Sequence, residues 1–275
     1  MSLVVMEEFV DYDFRKDPKF IPGEIRPSPE AMQEYFNAHA AYEDKVTPLP
    51  TNRWEEIAAY HQANKTGLEW LIYTVLNQGR EGSCVGNAET QAIMAHLAKA
   101  FGDKWLIPLS AISAYKLIGS SPMSGAMVSD ALEAGRQVGV LPLNTPENIK
   151  LFGEDGCMPA TGFYTKFPAK HREVAANFRI DEYNIIRTFE GLVTALLRGE
   201  PVVVGRAGHS ILYLGVVFLN NAMYFLYVNS WGKWGMGAGN FAYGFGLDSE
   251  KYGRNSARWA FAVRSIVTPT WALAA

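Results

Sequence analysis

The stretch "HSILYLGVVFLNNAMYFLYVNS", residues 209–230, limits what this chain can become more than any other. It is apolar and rich in β-branched and aromatic residues, yet Asn220 and Asn221 divide it into two halves of strand length. A membrane-spanning helix needs about 20 unbroken apolar residues. The stretch therefore reads as two strands joined by a two-residue turn, a position where asparagine readily adopts positive φ. Around it lie further strand-like runs, "PVVVG" and "ARWAFAVRSIV", and one clear helix, "TFEGLVTALLRG".

Upstream the texture is helical. "NRWEEIAAYHQANKTG" reads as a helix closed by Gly67, and "LEWLIYTVL" as a strand leading into a turn at residues 77–83. A helix is expected over Cys84–Phe101 with Gly102 as its cap; "LSAISAYKLIG" and "SGAMVSDALEAGRQVG" supply two more. Helices first and strands later predict an α+β fold. Within a domain spanning 51–275, a helical lobe is expected at about 68–145 and a β-rich, barrel-like lobe at about 146–270. Residues 1–50 hold six of the fourteen prolines. They include a helix with Ser28 as N-cap and Pro29 at its first position. Met32, Tyr35, Phe36, His39 and Tyr42 fall on one face of it, so this extension is expected to pack on the body.

A net charge of −3 with no basic run argues against nucleic acid or a membrane surface as partner. "MSLVVMEEFVDYDF" lacks the basic region of a secretory signal, and two cysteines are too few for a stapled scaffold. Synthesis in the cytoplasm or another reducing compartment is expected. Of those cysteines, Cys84 sits where a polar turn runs into a helix. The helix dipole and unpaired backbone N–H groups there favour thiolate, the nucleophilic form. It needs an imidazole. His39, His61 and His96 lie in helical patterns and His171 in a charged, solvated context, whereas His209 opens the hairpin whose return strand ends at Asn229. An asparagine oxygen beside His209 would fix its tautomer, and Trp231 would cover that bond. Cys157 opens no helix and has no histidine nearby.

"NQGREGSC", "GHSILYLG" and "VNSWGKWG" together resemble the papain-like cysteine proteases. His209 and Asn229 fall 125 and 145 residues past Cys84, near the roughly 130–150 of that family. The resemblance covers about residues 68–265. It implies a two-lobed fold in which Cys84 is the nucleophile, His209 the base and acid, and Asn229 its orienting partner. Gln78 and the backbone N–H of Cys84 would form the oxyanion hole. Ser83 and Gly208 would touch substrate, Trp231 would support the site, and no metal or cofactor would be required; Gly125, ahead of the helix "AMVSDALEAG", either offers backbone to a substrate or simply opens that helix. A peptide or protein would be hydrolysed through an acyl-enzyme.

The match has departures. Glu81 stands where the family carries a disulfide cysteine, Val85 replaces an aromatic, and the segment before His209 is short. Residues 1–50 show no family pro-segment motif. Two other readings therefore stay open: a structural or assembly role, for example in a virus particle, with the extension or the tail "TPTWALAA" contacting a partner, and an amidase or transglutaminase-like acyl transfer.

Overall fold

The computed structural model describes residues 3, 5–18, 20–102, 106–152, 163–164, 169–206 and 208–268. Helices α1 (Pro29–Ala38), α2 (Trp54–Asn64), α3 (Cys84–Phe101), α4 (Ala111–Tyr115), α5 (Val128–Gln137), α6 (Pro146–Phe152) and α7 (Ala169–Ala175) precede the first strand. Then come β1 (Ile180–Ile186), α8 (Phe189–Leu197), β2 (Val202–Arg206), β3 (His209–Leu219), β4 (Ala222–Val228), β5 (Met236–Ala238), β6 (Phe241–Ser249), α9 (Glu250–Ser256) and β7 (Ala260–Ile266). The strands form one antiparallel sheet in the order β1-β7-β2-β3-β4-β6-β5, an α+β architecture. Asn220 and Asn221 both have positive φ, at 50° and 62°, and make the β3–β4 turn.

Both faces of the sheet are covered, which is why its strands read as unbroken apolar runs. Alternation along each strand sends Val203, Leu212 and Phe261 to the core under α3. Val202, Val204, Ile211 and Ala262 go to the opposite core beneath α8 and α2. Helix α3 is buried from Cys84 to Ala98. Its small residues permit that. A Cβ on Gly86 would stand 2.9 Å from the Ala111 carbonyl, so α4 can approach closely only a glycine there.

A helix buried all round must bury polar groups too. His96 Nε2–H donates to the Val263 carbonyl at 2.8 Å, and burial pushes its pKa down to about 4. Glu89 has no hydrogen-bond partner among the described residues, and burial raises its pKa well above the carboxylate range. Between the unfolded value near 4.3 and the raised folded value, the folded chain binds the extra proton, so stability falls as pH rises. Glu89→Gln removes that loss. Its stability advantage over wild type is expected to grow by about 1.4 kcal/mol per pH unit above roughly pH 4.3. Urea melts between pH 4 and 7 check this; parallel pH slopes for the two proteins would contradict it.

Some expectations are corrected. "LEWLIYTVL" is not a strand: Leu68–Trp70 is a 3-10 turn, and Leu68, Ile72 and Leu76 are buried at every fourth position. A sheet strand would bury alternate residues; this segment wedges into the core, and its end is fastened to the β-rich part by the Gly232 N–H bond to the Leu76 carbonyl and by the bridge between Asn77 and Trp231. Helix α2 is closed by Lys65, at φ 53°, rather than by Gly67. His171 is buried rather than solvated, its Nε2 lying 3.8 Å from the Glu147 carboxylate. Cys157 and the tail beyond residue 268 lie outside the described residues. No described helix is long and apolar enough to cross a membrane.

Candidate active site

The β3–β4 hairpin carries the first part of the site. Strand β3 starts at His209, and Asn229 stands one step beyond the last ladder pairs that tie β4 to β3. Side-chain geometry follows from that register: His209 Nε2 lies 2.8 Å from Asn229 Oδ1, which also accepts the backbone N–H of Ser230 at 2.8 Å. An amide oxygen only accepts, so the proton sits on Nε2 and Nδ1 carries the lone pair. Nδ1 is buried without a hydrogen-bond partner among the described residues. The Trp231 ring lies 5.0 Å from the imidazole.

The 76–80 segment is fastened to the same block. Gln78 N–H donates to the Ser230 carbonyl at 2.8 Å, and Gly232 N–H to that of Leu76 at 3.0 Å. The Gln78 side chain is fixed at both ends: Oε1 accepts from Ser230 Oγ at 2.6 Å, and Nε2 donates to the Glu81 carbonyl at 2.7 Å. Ser230 is a positioning residue that the sequence reading passed over, although it stands inside the Asn-Ser-Trp block. A second amide N–H of Gln78 remains. Ser83 faces inward instead: its carbonyl and hydroxyl oxygens take the Asn87 side-chain amide.

Cys84 opens α3, and the backbone N–H groups of Ser210, Val85 and Cys84 itself favour its thiolate. The stronger influence opposes them. The thiol is fully buried, and desolvation pushes its pKa up to about 12, with the Glu24 carboxylate adding to the rise. Burial also pushes His209 down to about 4, against the pull of Asn229, with Arg206 lowering it further. The expectation of a helix-stabilised thiolate therefore fails in this closed state: loss of water outweighs the dipole. Glu81 lies buried too, its carboxyl raised to about 7 by desolvation.

What closes the site is the extension. Phe14 packs on His209, with ring centres 4.6 Å apart, and on Trp231 at 5.5 Å. The Arg206 guanidinium lies 4.9 Å from the Phe14 ring and 4.4 Å from that of Tyr252, and is paired with the buried Asp248, 2.8 Å away. Farther on, Gly23 and Glu24 N–H both donate to the Gly208 carbonyl, at 2.9 and 3.1 Å, and Glu24 Oε2 accepts from Gly208 N–H at 3.2 Å. Ala126 N–H donates to the Gly23 carbonyl, and Ile25 N–H to that of Ala126, each at 2.9 Å, a parallel bridge. Gly125 lies under the same strand: a Cβ there would stand 3.0 Å from the Gly23 carbonyl oxygen. A Cβ on Gly23 itself would stand 2.7 Å from Cys84 Sγ. Gly125 and Gly208 thus meet a peptide backbone, the chain's own. Phe14 and Glu24 were not legible as site residues, because nothing local ties residues 14–26 to positions near 84 or 209; Arg206, opposite His209 in the ladder, joins the site through its contact with Phe14. Among the described residues no cluster of three His, Cys, Asp or Glu side chains could hold a metal ion.

No protein-family model matches this chain, and no curated protein sequence does either. Solved structures do. Xylellain, a cysteine protease from Xylella fastidiosa, superposes with a TM-score of 0.59 at 19% identity, covering 90% of this chain and 95% of that one. Digestive procathepsin L 3 of Tenebrio molitor larval midgut gives 0.53 at 16%, over 73% and 68% of the two chains. Bromelain from Ananas comosus, solved with the E64 inhibitor, gives 0.51 at 16%, over 71% and 95%. At these identities the likeness is one of fold, and the fold of this chain is that of the papain-like cysteine proteases.

Proposed function

We propose that the chain is a cysteine peptidase in which Cys84 attacks a peptide carbonyl, and that residues 14–26 hold it latent. The observation that carries the reading is the His209–Asn229 pair, hydrogen-bonded at 2.8 Å through Nε2 with Nδ1 left without a partner. Nδ1 takes the Cys84 proton, and the sulfur forms a bond to the carbonyl carbon. The oxyanion is held by the Cys84 backbone N–H and the remaining Gln78 amide N–H; one such donor is typically worth about 3 kcal/mol. The imidazolium then gives its proton to the departing amine, leaving a thioester. Water, deprotonated by His209, attacks that thioester; the acid product leaves and the thiol is regenerated.

Chemistry also fixes how a substrate lies. Its amine half departs over His209, so the C-terminal side of the scissile bond belongs on the imidazole side. The extension runs the other way: Phe14 is against His209, and the chain then passes over the sulfur toward Ala126. It therefore occupies the cleft backwards and is not presented for attack.

A second reading, a papain-like scaffold with lost activity, is favoured by the complete burial of Cys84. One experiment separates them. The full chain carrying Gly23→Val, whose arm cannot seat over the sulfur, is incubated with a peptide library, with and without added amine. Hydrolysed peptides that disappear with Cys84→Ala support a peptidase. Amine adducts in place of acids support acyl transfer, and no product at all supports the scaffold.

A further inference from the structure

Beside Trp231 lies an open groove of about 860 Å³ that the extension leaves unfilled. One rim is the arm itself, at Pro18 and Ile21; the fixed wall includes Asn77, Arg80, Trp231 and Lys233. Two cations and no acidic side chain line it. Arg80 and Lys233 are both exposed, and neither makes an ion pair among the described residues. The arm's Asp17, next to Pro18 on the rim, is engaged by the Tyr12 hydroxyl at 2.8 Å. Six exposed arginines, Arg15, Arg26, Arg53, Arg136, Arg187 and Arg254, are each paired with a carboxylate, whereas among the described residues Arg80, like Arg172, Arg198 and Arg258, is not.

The position of the groove gives the charge a meaning. Segments 76–80 and 230–233, which bear Arg80 and Lys233, are the ones clamped together by the Gln78–Ser230 and Leu76–Gly232 hydrogen bonds. The two cations are thus held at fixed short chain distances from Gln78 and Asn229. Trp231 serves both places, covering His209 with one part of its surface and lining the groove with another. The amine half of a substrate leaves on this side. An extended chain advances about 3.4 Å per residue, so one or two residues past the scissile bond span an indole.

We propose that Arg80 and Lys233 form a subsite for a carboxylate carried by the substrate one or two residues beyond the bond that is cut. The proposal rests on the peptidase reading above. The carboxylate is either an Asp or Glu side chain or the free C-terminus of the peptide, since an arginine fork and a lysine accept both.

The test uses the full Gly23→Val chain and quenched peptides identical on the acyl side of the bond. On the leaving-group side they carry Glu, Gln or Lys with a blocked C-terminus, or Gln with a free one. The value of kcat/KM is expected to be about 10-fold higher for a carboxylate peptide than for blocked Gln, and lowest for Lys, with the preference shrinking as salt rises. Whether blocked Glu or free-ended Gln shows the gain identifies the source. The double variant R80E/K233E is expected to invert the order, placing Lys above Glu. Equal kcat/KM for all four peptides, with hydrolysis intact, would overturn the subsite and leave the peptidase reading standing. Hydrolysis of none of them would overturn both.

Discussion

Replacing Gly23 by valine is expected to raise the rate at which an alkylating probe labels Cys84 at neutral pH by about 100-fold. The argument is steric first. A Cβ on Gly23 would stand 2.7 Å from Cys84 Sγ and 2.7 Å from the Gly82 carbonyl oxygen, and the latter is backbone that cannot swing aside. The arm must lift. Lifting it gives up the Gly23 and Glu24 bonds to Gly208 and the two bonds shared with Ala126. At a net value of about 0.7 kcal/mol each, within the usual range, losing these four shifts the open population about 100-fold, since about 1.4 kcal/mol is a factor of ten. Flanking anchors are untouched: Phe14 stays buried against Trp231, and Val10 still bridges Leu247 of β6. The fold should survive, which a thermal melt checks. A valine variant that melts like wild type and labels no faster would sink the idea that the arm is a lid.

The second large effect is loss of the base. In the opened chain, His209→Ala is expected to lower kcat by about 10⁴-fold, because among the described residues His209 is the imidazole held by Asn229 to take the thiol proton. Asn229→Ala should cost less, about 10- to 100-fold, the worth of one buried orienting hydrogen bond. The pH behaviour adds a readout that a merely structural role would not move. In the closed protein the thiol is pushed up to about 12 and the imidazole down to about 4, so both are neutral from about pH 5 to pH 9. Ultraviolet thiolate absorbance should be absent across that range. Opening the arm over the sulfur returns water to the thiol, and its pKa moves back in the direction opposite to its burial shift. Thiolate absorbance should then appear below pH 9 in Gly23→Val and vanish again with His209→Ala. If the opened protein shows the same absorbance with and without His209, the two groups are not paired.

Residues related by short-range geometry were readable from the chain alone. Asn220 and Asn221 dictate a turn, the turn dictates the pairing of β3 with β4, and the pairing delivers Asn229 to His209. Cys84 at a helix start is likewise local. The departures come from contacts distant in sequence. The 68–76 segment has the composition of a strand but no sheet edge to join, so packing of Leu68, Ile72 and Leu76 decides its shape. His171 reads as solvated because its neighbours in sequence are charged, whereas the fold buries it. The thiolate expectation failed for a related reason: the helix end is encoded at residue 84, but the water that would stabilise a charge there is displaced by residues 14–26. Six prolines and a run of charges in 1–50 gave no hint of which groove they would enter.

The order of the parts along the chain has a consequence for synthesis. A ribosome delivers the N-terminus first, and domains fold as their segments emerge. Phe14, Gly23 and Glu24 are outside before Cys84, and Cys84 long before the hairpin that carries His209 and Asn229. The plug is thus made ahead of the hole it fills. When β3 and β4 finally add to the sheet, the imidazole closes onto a thiol that already has its cover at hand. Neighbouring nascent chains need not meet an uncovered thiol.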